Sequence, residues 1–360
     1  MKKVMVALIV VLELLYILSG CSGSLAESSS SATAESVYVH MSESVPSETN
    51  RSAAVCMGSV SHPVCRIVQL GFMEKADELG YEGHILGLSE GSTQELYACW
   101  LEGAKEYDIA GAVCWVVDDS AYEFLKELHG MGVKTVAATM PHDYIKTRDF
   151  IDVNLRHSRV DDSIMVADFI GQSLFDRGLF SGSIAVTMNG YSSNYYLEGS
   201  NAFWTYMPTR YPDYTYLDAM YEGAVPEEAV AKVQQLILEH PEIIAAFGMS
   251  NNSALVWANG KKAAGRPDIL VAAYSDSRDG LDLLAAGDVD VLVGQPLYEA
   301  GYVGLELIDR LLNGKVYNTS EALWIQKLET HLIYQGGKGK HDPAYYYAIH
   351  ARAEERFGVQ

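Results

Sequence analysis

The chain has 360 residues, 49% of them hydrophobic and 20% charged, which excludes a disordered or fibrous protein and gives two domains as the expectation, since one core rarely serves so long a chain. Its formal net charge of −21 excludes nucleic-acid binding, which needs a basic face to displace counterions from phosphates. Acidity of this size otherwise says little beyond solubility.

The first element is a leader. Lys2 and Lys3 precede the apolar run "VMVALIVVLELLYILSG", interrupted once by Glu13, and Cys21 follows. A charged start, a short apolar stretch and small residues before a cleavage point describe a secretory signal peptide over 1–21. An uncleaved membrane anchor is the alternative, although the run is short for a spanning helix. Both place the remainder outside the cytoplasm. Residues 22–50 are rich in Ser, Glu and Ala, lack periodicity and read as a flexible tether.

From Ala53 strands and helices alternate. "AAVCMGSV" is a strand, and Pro63 to Leu79 is a helix whose Val64, Ile67, Val68, Gly71, Phe72, Ala76 and Leu79 share one face. "GHILGL" follows, then a capping box at Ser92 and Glu95 opens a helix to about Tyr107. "IAGAVCWVV" reads as a parallel strand buried on both faces. The helix "SAYEFLKELHGMG" and the strands "KTVAAT" and "DFIDVN" complete a first series. A second series after Asn154 has helices over 158–175, 192–207, 226–239, from 251, 279–286 and 298–313. Between them run the strands "GSIAVTM", "YTYLDAMY", "AAFGM", "DILVAAY" and "DVDVLVGQ". This order specifies an α/β protein of two doubly wound parallel-sheet lobes, with right-handed crossovers and ligand sites beyond the carboxyl ends of the strands.

Few motifs carry chemistry. "GLSEG" over 87–91 matches the nucleophile elbow, with Ser89 as the nucleophile. The helix signal, however, falls at Ser92, and no Asp and His follow at matching strand ends, so it reads as a coincidental turn. No phosphate-binding loop and no dinucleotide fingerprint occur, and the histidines show no ligand spacing. Neither enzyme, cofactor nor metal is expected. No C-x-x-C occurs. Cys56 and Cys114 read as buried free thiols acting as small hydrophobes, with a disulfide between neighbouring strands as the alternative. "GGKGK" near Gly336 reads as a mobile basic loop. Ser61-His62-Pro63 stands at the exit of the first strand, where Pro63 suits the first helical position and Ser61 or His62 can cap the helix or meet a ligand. Trp115, Tyr191, Tyr195, Tyr196, Tyr274 and Tyr298 lie near strand ends, where aromatic faces stack on the apolar face of a polar ligand.

Several passages carry a family resemblance: "HPVCRIVQLGFMEKADELGY", "AGAVCWVVDDSAYEFLKELHGMGVKTVAAT", "LEGSNAF", "FGMSNNSALVWA" and "VAAYSDSRDGLDLLAAGDVDVLVGQPLYEAGYVGLELIDRLLNGK". In this order they resemble the periplasmic binding proteins of the ribose and galactose type, over about 53–335. The ending "LSGC" is similar to a bacterial lipoprotein signal, with Cys21 as the lipid-bearing residue. The resemblance implies a type I architecture: two lobes joined by three hinge crossovers near 153, 294–296 and 323–325, closing on ligand. The lobes would comprise 51–153 with 296–323, and 154–295 with 324–340, leaving 341–360 as an extension. Ligand positions carry over as His62 for a common Asn, Thr139 and Met140 for an Asp-Arg pair, Tyr196 near a second Arg, Ser250 and Asn251 for an Asn-Asp pair, Ser275 or Asp276 for an Asp, and Gln295 unchanged. Ser61 and Trp115 join them as neighbours at strand ends. Val64 and Cys65 stand where relatives stack aromatic rings. Without the bidentate Arg clamp the implied ligand is a different sugar, a glycoside or another small polar molecule. The implied function is solute capture for an ABC importer, by a lipid-anchored monomer that docks on permease subunits. The alternative is a receptor presenting ligand to a membrane histidine kinase or chemoreceptor. A transcriptional repressor on similar lobes is excluded by the missing basic helix-turn-helix.

Overall fold

The computed structural model describes residues 50–89, 91–116, 121–138, 148–188, 194–223 and 225–358, without the side chains of 194–196 and 321–322. The expected signal, Cys21 and tether lie outside the described residues. In the first lobe the chain runs β1 (Ser52–Ser59), α1 (Pro63–Leu79), β2 (Glu82–Leu88), α2 (Thr93–Glu106), β3 (Gly111–Cys114), α3 (Tyr122–Gly130), β4 (Lys134–Ala138) and β5 (Val153–Arg156). The second lobe has α4 (Arg159–Asp176), β6 (Ser183–Met188), α5 (Asn194–Arg210), β7 (Thr215–Tyr216), β8 (Met220–Tyr221), α6 (Pro226–Glu239), β9 (Ile243–Gly248), α7 (Ser253–Ala263), β10 (Leu270–Tyr274), α8 (Arg278–Ala286) and β11 (Val291–Gly294). The chain then returns through α9 (Leu297–Leu312), α10 (Glu321–Trp324) and β12 (Ile325–Lys327), and ends with β13 (His331–Ile333) and α11 (Pro343–Phe357).

The strands form two sheets, ordered β12-β5-β4-β3-β1-β2 and β13-β11-β10-β9-β6-β7, with β8 also on β6. Every pairing is parallel except β13 on β11. Each sheet carries a core on both faces. In the first lobe one core joins α1 and α9, and the other joins α2 and α3. In the second, α6, α7 and α8 cover one face while α4 and α5 cover the other. Strands buried on both faces explain the unbroken apolar runs, such as "SAAVCM" in β1 and "LVAAY" in β10.

Local signals set the element ends. Pro63 opens α1, with His62 Nδ1 accepting from Val64 N–H at 3.2 Å. Gly80, at φ 71°, ends it in the left-handed conformation. Ser92 and Glu95 form both halves of a capping box on α2. That box fixes the start of α2 at Thr93, so exposed Ser89 lies in the preceding loop rather than on a helix-opening elbow. The close crossing of α1 and α9 depends on two glycines. A Cβ at Gly71 would stand 2.0 Å from the Tyr298 carbonyl oxygen, and one at Gly301 1.9 Å from that of Val68.

The structure moves several expected boundaries. Asn154 and Arg156 belong to β5 of the first sheet, paired with β4 and β12. The chain therefore leaves the first lobe after Arg156, not at 153. Residues 325–327 pair with β5, so the last passage between lobes falls between Lys327 and His331 rather than at 323–325. The physical reason is the same in both cases: β5 and the edge strand β12 of the first sheet run past the point where the apolar pattern fades. "YTYLDAMY" is not one strand but the two short ones β7 and β8. "DFIDVN" is a 3-10 turn at 148–150 followed by β5. The "GGKGK" segment holds a 3-10 turn at 339–341. Cys56 and Cys114 are register partners on β1 and β3, and both are free, buried thiols.

Candidate functional site

The expected ligand residues distribute over strand exits of both lobes. In the first, Ser61 is half-buried in the bend after β1, its Oγ 3.5 Å from that of Ser59. His62 is committed to capping α1 through Nδ1, which leaves Nε2 available, and burial lowers its pKa. Trp115 follows β3, with its N–H on the Cys56 carbonyl at 3.0 Å and its side chain half-buried against the α1–α9 core. Val64 and Cys65 pack with the same core, so no ring occupies the position after Pro63. Thr139 and Met140 lie outside the described residues, as does Tyr191. Tyr196 falls at the start of α5, its side chain and that of Tyr195 outside the described set.

In the second lobe Ser250 and Asn251 follow β9. Asn251 is exposed. Ser250 is buried, and its N–H donates to Ser253 Oγ at 3.1 Å. Ser275 and Asp276 follow β10. Ser275 Oγ is 3.0 Å from Ser277 Oγ, the cap of α8. Asp276 is 8% exposed, and burial, helped by the Glu299 carboxylate, pushes its carboxyl up to about 7 despite an opposing backbone hydrogen bond. It is therefore a carboxyl poised to donate or accept near neutral pH. Gln295 follows β11, half-buried, and shares a small hollow with Asp276, Ile67 and Tyr298.

A cavity of about 300 Å³ opens where the two lobes face each other. Ser61, Pro63 and Arg66 line it from the first lobe, and Ser277, Arg278 and Asp279 from the second. Its walls are thus the carboxyl-end loops of β1 and β10, the first turns of α1 and α8, where open α/β sheets bind ligands, and His350, Ala353 and Glu354 of α11; among the described ligand candidates only Ser61 lines it. A hollow of about 400 Å³ lies elsewhere, beside Phe175, Phe180 and Tyr211 to Tyr214. It sits at the amino ends of β6 and β7, and none of the described ligand candidates lines it.

Two features of the site have no counterpart in the sequence reading. Glu222, just after β8, is buried beneath the β9 exit and accepts from Ser253 Oγ at 2.5 Å. Burial raises its pKa, against hydrogen bonds from Ser253, Thr187 and Ser250. It holds the loop that carries Ser250 and Asn251. At the first passage between lobes, His157 and Asp162 are both buried, 3.6 Å apart. Burial, with Arg159 and Arg156, drives His157 down to about 3, while burial lifts Asp162 to about 6 against Arg159, Thr330 and Tyr274. Their contact is therefore not an ion pair near neutrality, because the imidazole stays uncharged. Tyr274 is fully buried, with its hydroxyl on Asp162 at 3.2 Å and Arg159 stacked 3.8 Å from its ring centre. It is a core residue, not a stacking platform. Tyr298 likewise spends its hydroxyl on Glu74 at 2.6 Å. Neither Glu222 nor His157 announces itself in sequence, since each lies beside a short strand without periodic pattern.

The chain has relatives among known proteins. A family model described as "Periplasmic binding protein domain" matches residues 53–316. The ribose import binding protein RbsB of Salmonella typhimurium is 26% identical over 83 residues, 23% of this chain and 28% of that protein. The chain thus aligns with little more than a quarter of the curated relatives it matches. Among solved structures, the arabinose-binding protein AraP of Geobacillus stearothermophilus superposes with a TM-score of 0.72 at 12% identity, over 83% of this chain and 99% of that one. A carbohydrate transporter solute-binding protein from Agrobacterium radiobacter, solved in complex with D-arabinose, gives 0.69 at 17% identity, over 84% and 100%. At these identities the structural likeness is one of fold. The alternating β/α series, the two parallel sheets, the three passages between them and the match over 53–316 together place the chain in the periplasmic binding protein family.

Proposed function

We propose that this chain is an extracytoplasmic solute-binding lipoprotein of an ABC importer, which captures a sugar or similar small polar molecule between its lobes as the hinge closes. The observation that carries this reading is the cavity walled by the first turns of α1 and α8, one from each lobe, at the carboxyl ends of the strands. The proposed ligand set is Ser61, which lines this cavity, with His62 and Trp115 in the first lobe and Ser250, Asn251, Ser275, Asp276 and Gln295 in the second; Thr139, Met140 and Tyr196 belong to it from the sequence resemblance alone. Trp115 offers an aromatic face, and the hydroxyl, amide and carboxyl groups satisfy the hydroxyls of a carbohydrate. Cys21 carries the lipid, and the loaded protein docks on permease subunits as a monomer. No chemical step is involved, and binding uses no cofactor.

The test is a thermal-shift screen of pentoses, hexoses, disaccharides, polyols and nucleosides, because a ligand that binds only the folded state raises Tm by mass action. At least one carbohydrate is expected to raise it, and Trp115→Ala and Gln295→Ala to abolish the rise while leaving circular dichroism unchanged. A full response from both variants would remove the assignment of the cleft. A screen without any shift would remove the small-molecule reading itself.

A further inference from the structure

The family match ends at residue 316, yet the chain continues to a fifteen-residue helix, α11. We propose that α11 is a strap that ties the two lobes together across one side of the cleft and sets the angle between them.

Its sequence makes it a helix before any packing. Asp342 accepts from Ala344 N–H at 2.9 Å as the cap, and Pro343 takes the first turn. Its side chains then divide into two stripes at helical spacing. Ile349, Ala353 and Phe357 face the first lobe, where Ile349 and Ala353 are buried in the α1–α9 core. On the same side Arg352 pairs with Glu74 at 3.0 Å and Arg356 with Asp77 at 2.7 Å, both on α1. Arg66 of α1 also donates to the Gly358 carbonyl at 2.8 Å.

The other stripe, Tyr346, His350 and Glu354, faces the second lobe. Tyr346 is buried in that lobe's core with Leu281, Leu284 and Ile333, so close to β11 that a Cβ at Gly294 would meet its hydroxyl at 2.4 Å. His350 Nε2–H donates to the Asp276 carbonyl at 2.6 Å, and Glu354 pairs with Arg278 at 2.6 Å. Tyr347 adds a 2.6 Å hydrogen bond to Asp282.

One helix therefore contributes apolar side chains to the cores of both lobes and ion pairs to both α1 and α8. Tyr346 lies beside the β11–α9 passage, so it is anchored near the hinge. Glu354 and Arg356 lie near the far end of the helix, where any change of lobe angle moves the two partners most. Arg278, Glu354 and Arg66 also line the cavity between the lobes, so the strap forms one of its walls. Exposed ion pairs are individually weak and screened by salt, which makes the distal half the part that yields. The bracing stands on these contacts alone. Its consequence, that ligand capture must work against or with the strap, rests on the function proposed above.

The experiment is small-angle X-ray scattering of the ligand-free full chain beside Arg352→Ala/Arg356→Ala and a chain ending at Lys340. The wild type is expected to give a narrow size distribution and a single cooperative melt. The double variant should give a larger mean radius of gyration, and the shortened chain a larger one still, with the melt separating into two transitions. Wild type in about 1 M salt should shift toward the double variant, as the screening length falls to about 3 Å. Scattering curves and melts of the double variant that superpose on wild type would overturn the strap. Should the shortened chain fail to fold by circular dichroism, the double variant, which alters only partly exposed side chains, decides. Because no sugar is present, a failed ligand screen leaves this result standing, and a failed strap leaves the ligand reading standing.

Discussion

Asp276 gives the sharpest test of the site's electrostatics. Its carboxyl has an ordinary value of 3.8 and is pushed to about 7 by burial and Glu299. A carboxyl raised in this way binds its proton more tightly when folded. Its contribution to stability is fully present below about 3.8 and is lost as pH rises through about 7. The interval is roughly three pH units at about 1.4 kcal/mol each, so the loss is of order 4 kcal/mol. Asp162 and Glu222 act in the same direction, whereas His157, lowered to about 3, loses stability as pH falls below 6.5. The whole-protein profile mixes these, and the difference between wild type and Asp276→Asn isolates one of them. Urea unfolding, followed by tryptophan fluorescence between about pH 4.5 and about pH 7.5, should show wild type losing several kcal/mol more than the variant. Parallel profiles for the two proteins would show that Asp276 is ionised and hydrated, and the reasoning would fail.

Other consequences follow from packing. Gly301→Ala places a methyl group 1.9 Å from the Val68 carbonyl oxygen, so α1 and α9 must separate; a loss of about 1–3 kcal/mol in chemical denaturation is expected, and an unchanged midpoint would refute the close crossing. Of the thiols after Cys21, Cys56, Cys65 and Cys114 are buried and Cys99 is half-buried, so a thiol reagent should modify Cys99 first and the other three only in denaturant. Glu222→Ala leaves the Ser253 hydroxyl without its buried acceptor; a cost of about 1–3 kcal/mol is expected, together with weaker binding of any sugar found in the screen.

Much of the fold is legible because the signals are local. Pro63 with His62, the Ser92–Glu95 box and Gly80 each define a helix end within a few residues, and the structure uses all of them. The apolar runs of β1 and β10 announce two-sided burial, hence parallel sheets. Edges were misread for a reason of the same kind. β5, β7, β8 and β12 are short, half of their environment is set by neighbouring strands, and nothing in "NLR" or "IQK" says which sheet will accept it. The place of Ser61, His62, Asp276 and Gln295 at strand exits is legible, because the ends of β1, β10 and β11 fix it. Glu222 was not, since its role depends on Ser253 and Thr187, thirty or more residues away in sequence. The place of Tyr274 at a strand end fits a core residue or a stacking platform equally, and only packing shows its ring under Arg159 and its hydroxyl on Asp162.

The C-terminal helix draws the line between the two kinds of information. Asp342, Pro343 and the spacing of Tyr346, Ile349 and Ala353 determine a helix with a capped start, and that much is written in the sequence. Which surfaces the helix joins is not. Apolar spacing states that a face will be covered, but the covering surfaces are α1 from one lobe and α8 from the other, brought together only after the chain has passed between the sheets. The sequence determines elements through interactions within a few residues. The tertiary structure decides which distant elements meet, because burial free energy is non-directional and selects partners only once the whole chain has packed.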